Sequence, residues 1–294
     1  MYNYAMKRLL IIGCGDVAMR AIPLLTRRYQ VFALVRSPAY REKLRALGVL
    51  PIFGDLDDRA SLARIAGLAD AVLHFAPPAN NGTRDTRTRN LLSALSHGAL
   101  PTQLVYIGTS GVYGDCGGAV VSESRPLHPQ AARAQRRIDA ESQIRNWAKR
   151  NHVKASILRV PGIYAADRLP LARLQQGLPC IIDSEDSYTN HIHADDLARI
   201  AVAALRYGKA CRVYHASDDS QLKMGGYFDA VADAFGLSQP PRVSRAEAQR
   251  VLPEMLLSFM NESRRLNNRR MKRELRVRLY YPTVADMLTT IKLP

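Results

Sequence analysis

RLLIIGCGDVA, residues 8–18, runs a short apolar stretch directly into Gly13-Cys14-Gly15 and then into a pattern with Val17, Ala21 and Leu25 on one helical face. It reads as a buried strand, a tight glycine turn and an amphipathic helix. Gly13 permits the turn, Gly15 lets a backbone approach a pyrophosphate, and Ala18 allows strand and helix to pack closely. Cys14, Asp16 and Val17 complete the same elbow. The helix N-terminus adds partial positive charge, so the stretch predicts a dinucleotide-binding turn.

The pattern continues outward from this elbow. RLLII (8–12), VFALV (31–35), VLPIF (49–53), AVLHF (71–75), LVYIG (104–108) and ASILRV (155–160) are near-continuously apolar. Parallel strands covered on both faces have that composition. Helical patterns lie between them, which predicts an α/β fold, a Rossmann-type doubly wound parallel sheet with a smaller C-terminal substrate domain. Pro23 falls inside the first helix and predicts a kink or a lost hydrogen bond there. Alternation fades after residue 160. HADDLARIAVAALRYG (193–208) then reads as a clear helix and RVYHAS (212–217) as one more strand. The expected division is a Rossmann unit over 1–160, rejoined at about 189–217, with 161–188 and 218–294 forming the smaller unit.

Composition narrows the classes. The chain has 294 residues, enough for a sizeable core, and its 47% hydrophobic and 23% charged content is that of a soluble globular protein. No apolar run reaches the roughly 20 residues of a membrane span, and no membrane partner is expected. The N-terminal apolar run leads into the glycine turn and not a cleavage site, so it is read as a strand. Cys14, Cys116, Cys180 and Cys211 lack metal or disulfide spacing, which points to no metal and a cytoplasmic, reducing setting. The net charge of +16 is unusual. Its densest run, RRLNNRRMKRELRVR (264–278), holds eight Lys/Arg against one Glu. A solvated helix face, a pocket for an anionic small molecule and a nucleic-acid surface all fit such a run. It lacks interleaved aromatics, which ranks the small molecule above the polymer.

The end of the second strand bears on cofactor choice. An NAD site places Asp or Glu there for the ribose hydroxyls. This chain has LVRSP, with Arg36 and Ser37. A guanidinium suits a 2′-phosphate, so NADP(H) is expected over NAD(H).

Taken in order, further motifs resemble the short-chain dehydrogenase/reductase superfamily, in its extended or atypical branch related to NAD-dependent epimerases and dehydratases. GDLDD (54–58) is similar to the turn after strand three, which implies that Asp55, with Leu56 beside it, meets the adenine. HFAPPA (74–79) resembles the strand-four end along the cofactor, implying contacts from Phe75, Ala76 and Pro77. YIGTSGVYGD (106–115) resembles the strand-five motif, which assigns Thr109 to the substrate oxygen, with Ser110 and Tyr113 as further catalytic candidates. LRVPGIYA (158–165) looks like the turn against the nicotinamide amide, implying Pro161, Gly162 and Ile163. NHIHADDLA (190–198), YHASDD, NNRRMKREL and YPTVADML extend the resemblance along nearly the whole chain.

One feature of that family is missing. Its chemistry normally uses a Tyr-x-x-x-Lys pair on the helix after strand five, the Tyr as acid or base and the Lys lowering its pKa. ESRPLHPQAARAQRRIDAE matches the approach to that helix, but Arg133 then stands at the Tyr position and Arg137 at the Lys position. Arg137 keeps a positive charge near the ribose. Arg133 cannot exchange protons, since a guanidinium stays charged. No Tyr or Lys occurs from 114 to 148, so a shift along the helix does not restore the pair. Tyr113, Tyr164, Tyr188 and His193 are the substitutes the sequence offers, the last three as substrate-side residues; His193 also suits a helix cap.

The leading expectation is an NADP(H)-binding oxidoreductase or epimerase-like enzyme acting on an anionic small molecule, by family resemblance a nucleotide sugar. The alternatives are a catalytically silent NADP-binding or sensing module and a basic nucleic-acid-associated protein. A homodimer is a candidate assembly.

Overall fold

The computed structural model describes residues 6–291; the first five and last three residues of the two expected units lie outside the described residues. The elements of the first half are β1 (Arg8–Ile12), α1 (Asp16–Leu25), β2 (Gln30–Val35), α2 (Arg41–Ala46), β3 (Val49–Phe53), β4 (Ala71–His74), α3 (Thr86–Leu95) and β5 (Gln103–Thr109). There follow β6 (Val120–Val121), α4 (Ala132–Arg150), β7 (Lys154–Val160), β8 (Gly162–Tyr164), α5 (Leu171–Gln175), β9 (Cys180–Ile181), β10 (His191–His193), α6 (Ala194–Tyr207) and β11 (Arg212–His215). The remainder is α7 (Met224–Ala234), β12 (Arg242–Val243), α8 (Arg245–Val251), α9 (Glu254–Met260), β13 (Arg265–Leu266), α10 (Arg269–Leu275) and α11 (Val284–Leu288).

Seven strands form one sheet in the order β11-β7-β5-β4-β1-β2-β3, and every neighbouring pair is parallel. The order reverses between β1 and β4, the point at which such sheets open a crevice for ligands. Successive residues of β1 explain why it is apolar throughout. Leu9 and Ile11 join a core shared with α1 and α6, while Leu10 and Ile12 join one shared with α3 and α4. A strand covered on both faces has no polar side to show.

A third core gathers Tyr164, Leu174, Cys180, Phe228, Val231 and Met287 from the segments that leave the sheet. Not all of the C-terminal segment goes there: Met271 and Leu275 of α10 pack into the α1–α6 core. The basic run therefore does not form one solvated helix face. Arg264 is buried, Arg265 and Leu266 pair with β6, and only the stretch from Arg269 is helical. Pro23 is exposed and does not end α1, which runs on to Leu25. The missing N–H falls near the helix C-terminus on a wet face, where solvent can satisfy the carbonyl left behind. Among the described residues no helix is long and apolar enough to cross a membrane.

Candidate functional site

The glycine elbow is forced by its neighbours. Gly13 has φ of +91°, and a Cβ there would lie 2.5 Å from the Ala76 nitrogen. The crowding arises because Phe75 and Ala76 both donate their N–H to the Ile12 carbonyl, at 2.7 and 2.9 Å, folding the end of β4 under the turn. Gly15, the N-cap of α1, is the opposite case: a Cβ there would meet nothing within 4 Å. Gly13 thus answers to the protein's own backbone, and Gly15 faces an open groove. Ala18 is buried, and Val17 and Phe75 pack against the α1–α6 core. Asp16 is absent from the groove lining; it pairs with Arg20 at 2.9 Å and Arg168 at 3.2 Å. Burial pushes the Cys14 thiol up to about 12, so it stays protonated.

The groove is a cavity of about 470 Å³ running from Gly13, Cys14 and Gly15 past Arg36 and Ser37 to Asp55 and Leu56, with Ala76 and Pro77 on the near wall. Arg36 and Ser37 are exposed just beyond β2, and Ser37 Oγ accepts from the Ala39 N–H. Asp55 turns its carboxylate onto the Asp57 N–H, while Ser61 Oγ accepts from the Asp55 N–H. Two lining residues were not legible in the sequence, Tyr40 and Arg87. Arg87 is clamped by Asp57 through both carboxylate oxygens and donates to the Pro77 carbonyl. The Arg87 hydrogen bonds, followed by the nearby Arg36 charge, hold the Asp57 carboxyl below its usual range.

A second chamber of about 420 Å³ meets the groove at Pro77. Thr109 and Ser110 line it from the end of β5, and Pro161 and Gly162 line it from the end of β7. Thr109 Oγ1 accepts from the Gly111 N–H at 3.2 Å, which folds the turn after β5 and fixes the hydroxyl. The first turns of α4 add Arg133, Arg136 and Arg137. Arg137 donates to the Tyr106 hydroxyl at 3.0 Å and the Ile107 carbonyl at 2.8 Å. Arg136 donates to the Gly82 carbonyl, and Arg133 to Ser258 Oγ. The far wall carries Tyr188, His191, Glu262 and Arg264, with Glu262 paired to Arg264 at 2.9 Å.

Several expected residues lie elsewhere. Tyr113 does not line the chamber: its hydroxyl is locked between His215 Nε2 at 2.5 Å and Arg159 at 2.7 Å, and burial pushes it up to about 12. Tyr164 is buried in the third core. Ile163 packs toward the sheet and is absent from the lining. His193 caps α6, its Nδ1 accepting from the Asp195 N–H, and its ring lies tilted against Tyr281 with centroids 4.1 Å apart. The histidine of that strand that reaches the chamber is His191, two residues earlier on the same face. Burial depresses it to about 4, so it is neutral, and it stacks on Tyr227 at 4.2 Å. The sequence signal for His191 was the HIH alternation itself, which cannot say which imidazole meets a cavity. Glu262 gave no local signal; Arg264 opens the basic run for which an anion pocket is one reading, and Arg136 stands between the two arginines at the Tyr and Lys positions.

Similarity to known proteins agrees with this geometry. The model of the NAD-dependent epimerase/dehydratase family matches residues 21–216. A conserved protein of unknown function from Silicibacter pomeroyi shares 27% identity and a TM-score of 0.77 over 96% of each chain. The UDP-glucuronic acid 4-epimerase of Bacillus cereus, solved with a fluorinated substrate analogue and NAD, shares 20% identity with a TM-score of 0.74 over 96% of each chain. The dTDP-glucose 4,6-dehydratase of Streptomyces venezuelae, solved with NAD bound, shares 20% identity with a TM-score of 0.75 over 96% of each chain. At 20% identity the likeness to these two enzymes is a likeness of fold. A comparison with curated protein sequences gave no match.

Proposed function

Because the chain belongs to the NAD-dependent epimerase/dehydratase family, we propose that it binds NADP(H) in the groove at Gly13–Gly15 and acts on an anionic small molecule in the adjoining chamber. The observation that carries this reading is the meeting of the two cavities at Pro77, one glycine-floored and one arginine-walled. The groove suits a dinucleotide: Gly15 leaves room for a pyrophosphate at the start of α1, and Gly13 is shaped by the chain itself. Arg36 and Ser37 would hold the 2′-phosphate, Asp55 and Leu56 the adenine, and Phe75, Ala76 and Pro77 the ribose side. Arg137, Pro161 and Gly162 would surround the nicotinamide end, while Ile163, packed toward the sheet, would not reach it. The bound nicotinamide supplies reversible hydride acceptance.

Thr109, with Ser110, would hold the substrate oxygen, and Tyr188 would flank the substrate. The substrate class nearest the family is a nucleotide sugar, by analogy of fold alone. The Rossmann unit of 1–160 and 189–217 would carry the cofactor, and the segments 161–188 and 218–294 would close over the substrate. The free thiols of Cys14, Cys116, Cys180 and Cys211 favour work in the cytosol.

A second reading, a silent NADP(H)-responsive module, draws on two features of the site. Arginines occupy both positions where the family resemblance puts Tyr and Lys, and Tyr113 is sealed away from the chamber. One pair of measurements separates the readings. Calorimetry should show NADPH binding tighter than NADH. Hydride exchange with a sugar-nucleotide panel, lost in Thr109→Val, then indicates an enzyme. NADPH binding with no turnover on any substrate indicates a sensor, and no affinity for either nucleotide ends both readings.

A further inference from the structure

We propose that the end of the substrate lying in the arginine-walled chamber beside Thr109 itself carries an oxyanion, a carboxylate or a phosphate, gripped by Arg136 and Arg137. This rests on the reading of the chamber as a substrate site and specifies its chemistry. In a nucleotide sugar of neutral hexose type, the charge sits on the diphosphate, away from the reacting ring. Here the charge lines the reacting end.

The lining brings four guanidiniums together, those of Arg133, Arg136, Arg137 and Arg264, against one carboxylate, Glu262, which is already paired with Arg264. Arg136 and Arg137 are anchored by neutral oxygens: the Gly82 carbonyl holds the first, and the Tyr106 hydroxyl and Ile107 carbonyl hold the second. Neither forms an ion pair among the described residues. Arg136 is only 9% exposed. A guanidinium taken out of water without a counter-charge destabilises the empty protein, and a bound anion reverses that cost.

α4 sorts its charges in a way that sharpens the point. Its acids face elsewhere: Asp139 accepts from the Asp85 N–H and from Gln143, and Glu141 accepts from Arg159 through both oxygens. The arginines one turn earlier are left to the chamber. Side chains pinned by neutral acceptors, with their positive charge uncancelled, form a preorganised oxyanion site, since a guanidinium matches carboxylate and phosphate geometry alike.

The test titrates NADPH-loaded protein by calorimetry with citrate, inorganic phosphate, UDP-glucose and glucose, at constant ionic strength so that screening does not vary. Citrate or phosphate is expected to bind saturably at one site, the stronger of the two naming the anion, with glucose silent. Affinity should fall at least tenfold in Arg136→Met and in Arg137→Met, and Arg136→Lys should recover part of it. Without anion, Arg136→Met should melt no lower than the parent, because its guanidinium is uncompensated. If Arg136→Met does not fold, that guanidinium is a structural strut and its share in the proposal fails; Arg137→Met then decides the rest. NADPH binding without saturable binding of citrate or phosphate overturns the proposal alone, as does tight UDP-glucose binding unaffected by either variant. Loss of NADPH binding in the parent removes the reading beneath it as well.

Discussion

Two glycines two residues apart answer to different demands, and that difference can be measured. Gly13→Ala puts a Cβ against the Ala76 backbone at positive φ, so we expect a loss of about 2 kcal/mol or more in stability, read by urea denaturation. Gly15→Ala meets open space at an ordinary backbone angle and should keep stability within about 0.5 kcal/mol. It should nevertheless weaken NADPH binding, because the methyl group occupies the groove. Equal destabilisation by both would contradict the assignment of the open side to a ligand. Arg36 belongs to this scale too. Replacing it with Ala removes a charge-assisted contact of about 2 kcal/mol, so NADPH affinity should drop roughly 30-fold while NADH affinity holds. An unchanged NADPH:NADH ratio would place phosphate recognition elsewhere, with Arg87 the next residue to examine. G-x-G-x-x-A was legible because the elbow is a matter of local geometry, and Arg36 was placed beside the groove by its position at the end of β2. Arg87 was not, because its position depends on Asp57, thirty residues earlier in the chain.

At the scale of elements, α4 carries the departure from the family pattern and also part of the structural frame. Its Glu141 forms a bidentate pair with Arg159 of β7, both side chains buried, and Arg159 in turn holds the Tyr113 hydroxyl. Breaking one side of such a pair leaves an unpaired buried charge. Glu141→Gln should therefore cost about 3 kcal/mol in chemical denaturation, and a loss under 1 kcal/mol would show that Arg159 finds water or another acceptor. The sheet strands, α1 and α6 could be read from apolar runs and periodicity because each buries a continuous face, whereas α4 buries Arg136 and Glu141 and was placed by the family resemblance. The two-residue strands β6, β9, β12 and β13 could not. Their pairing is a backbone matter, and β6 with β13 brings residues 120 and 265 together with no side-chain period to announce it. That pairing is what carries Arg264 out of the basic run and into the chamber wall.

Across the whole molecule, among the described residues, burial holds four histidines toward the neutral form, His193 among them with the neighbouring Asp195 and Asp196 charges opposing it. Burial depresses His74 to about 3, His191 to about 4 and His215 to about 3. Their unfolded value is about 6.5, so the unfolded chain binds protons first as pH falls. The stability they contribute is fully present above about pH 6.5 and is lost on acidification toward pH 4. Asp218 acts oppositely: burial raises it to about 7, so the folded state takes up a proton first and offsets roughly one histidine. Because more buried imidazoles than buried carboxyls are shifted this way, stability should fall as pH drops from about 6 to 4, measured as urea stability at a series of pH values. A flat profile would mean that at least two of these imidazoles reach solvent. Taken alone, the sequence determined the alternating sheet, the dinucleotide elbow and the absence of the Tyr-x-x-x-Lys pair, because each is written in contiguous residues whose period or spacing has one physical meaning. Only the tertiary structure decided that Tyr113 is sealed against His215 and Arg159, that His191 and not His193 faces the chamber, and that arginines from α4 and from the C-terminal run line one chamber. Those outcomes depend on which distant backbone and charge each side chain meets, and a one-dimensional pattern carries no term for that.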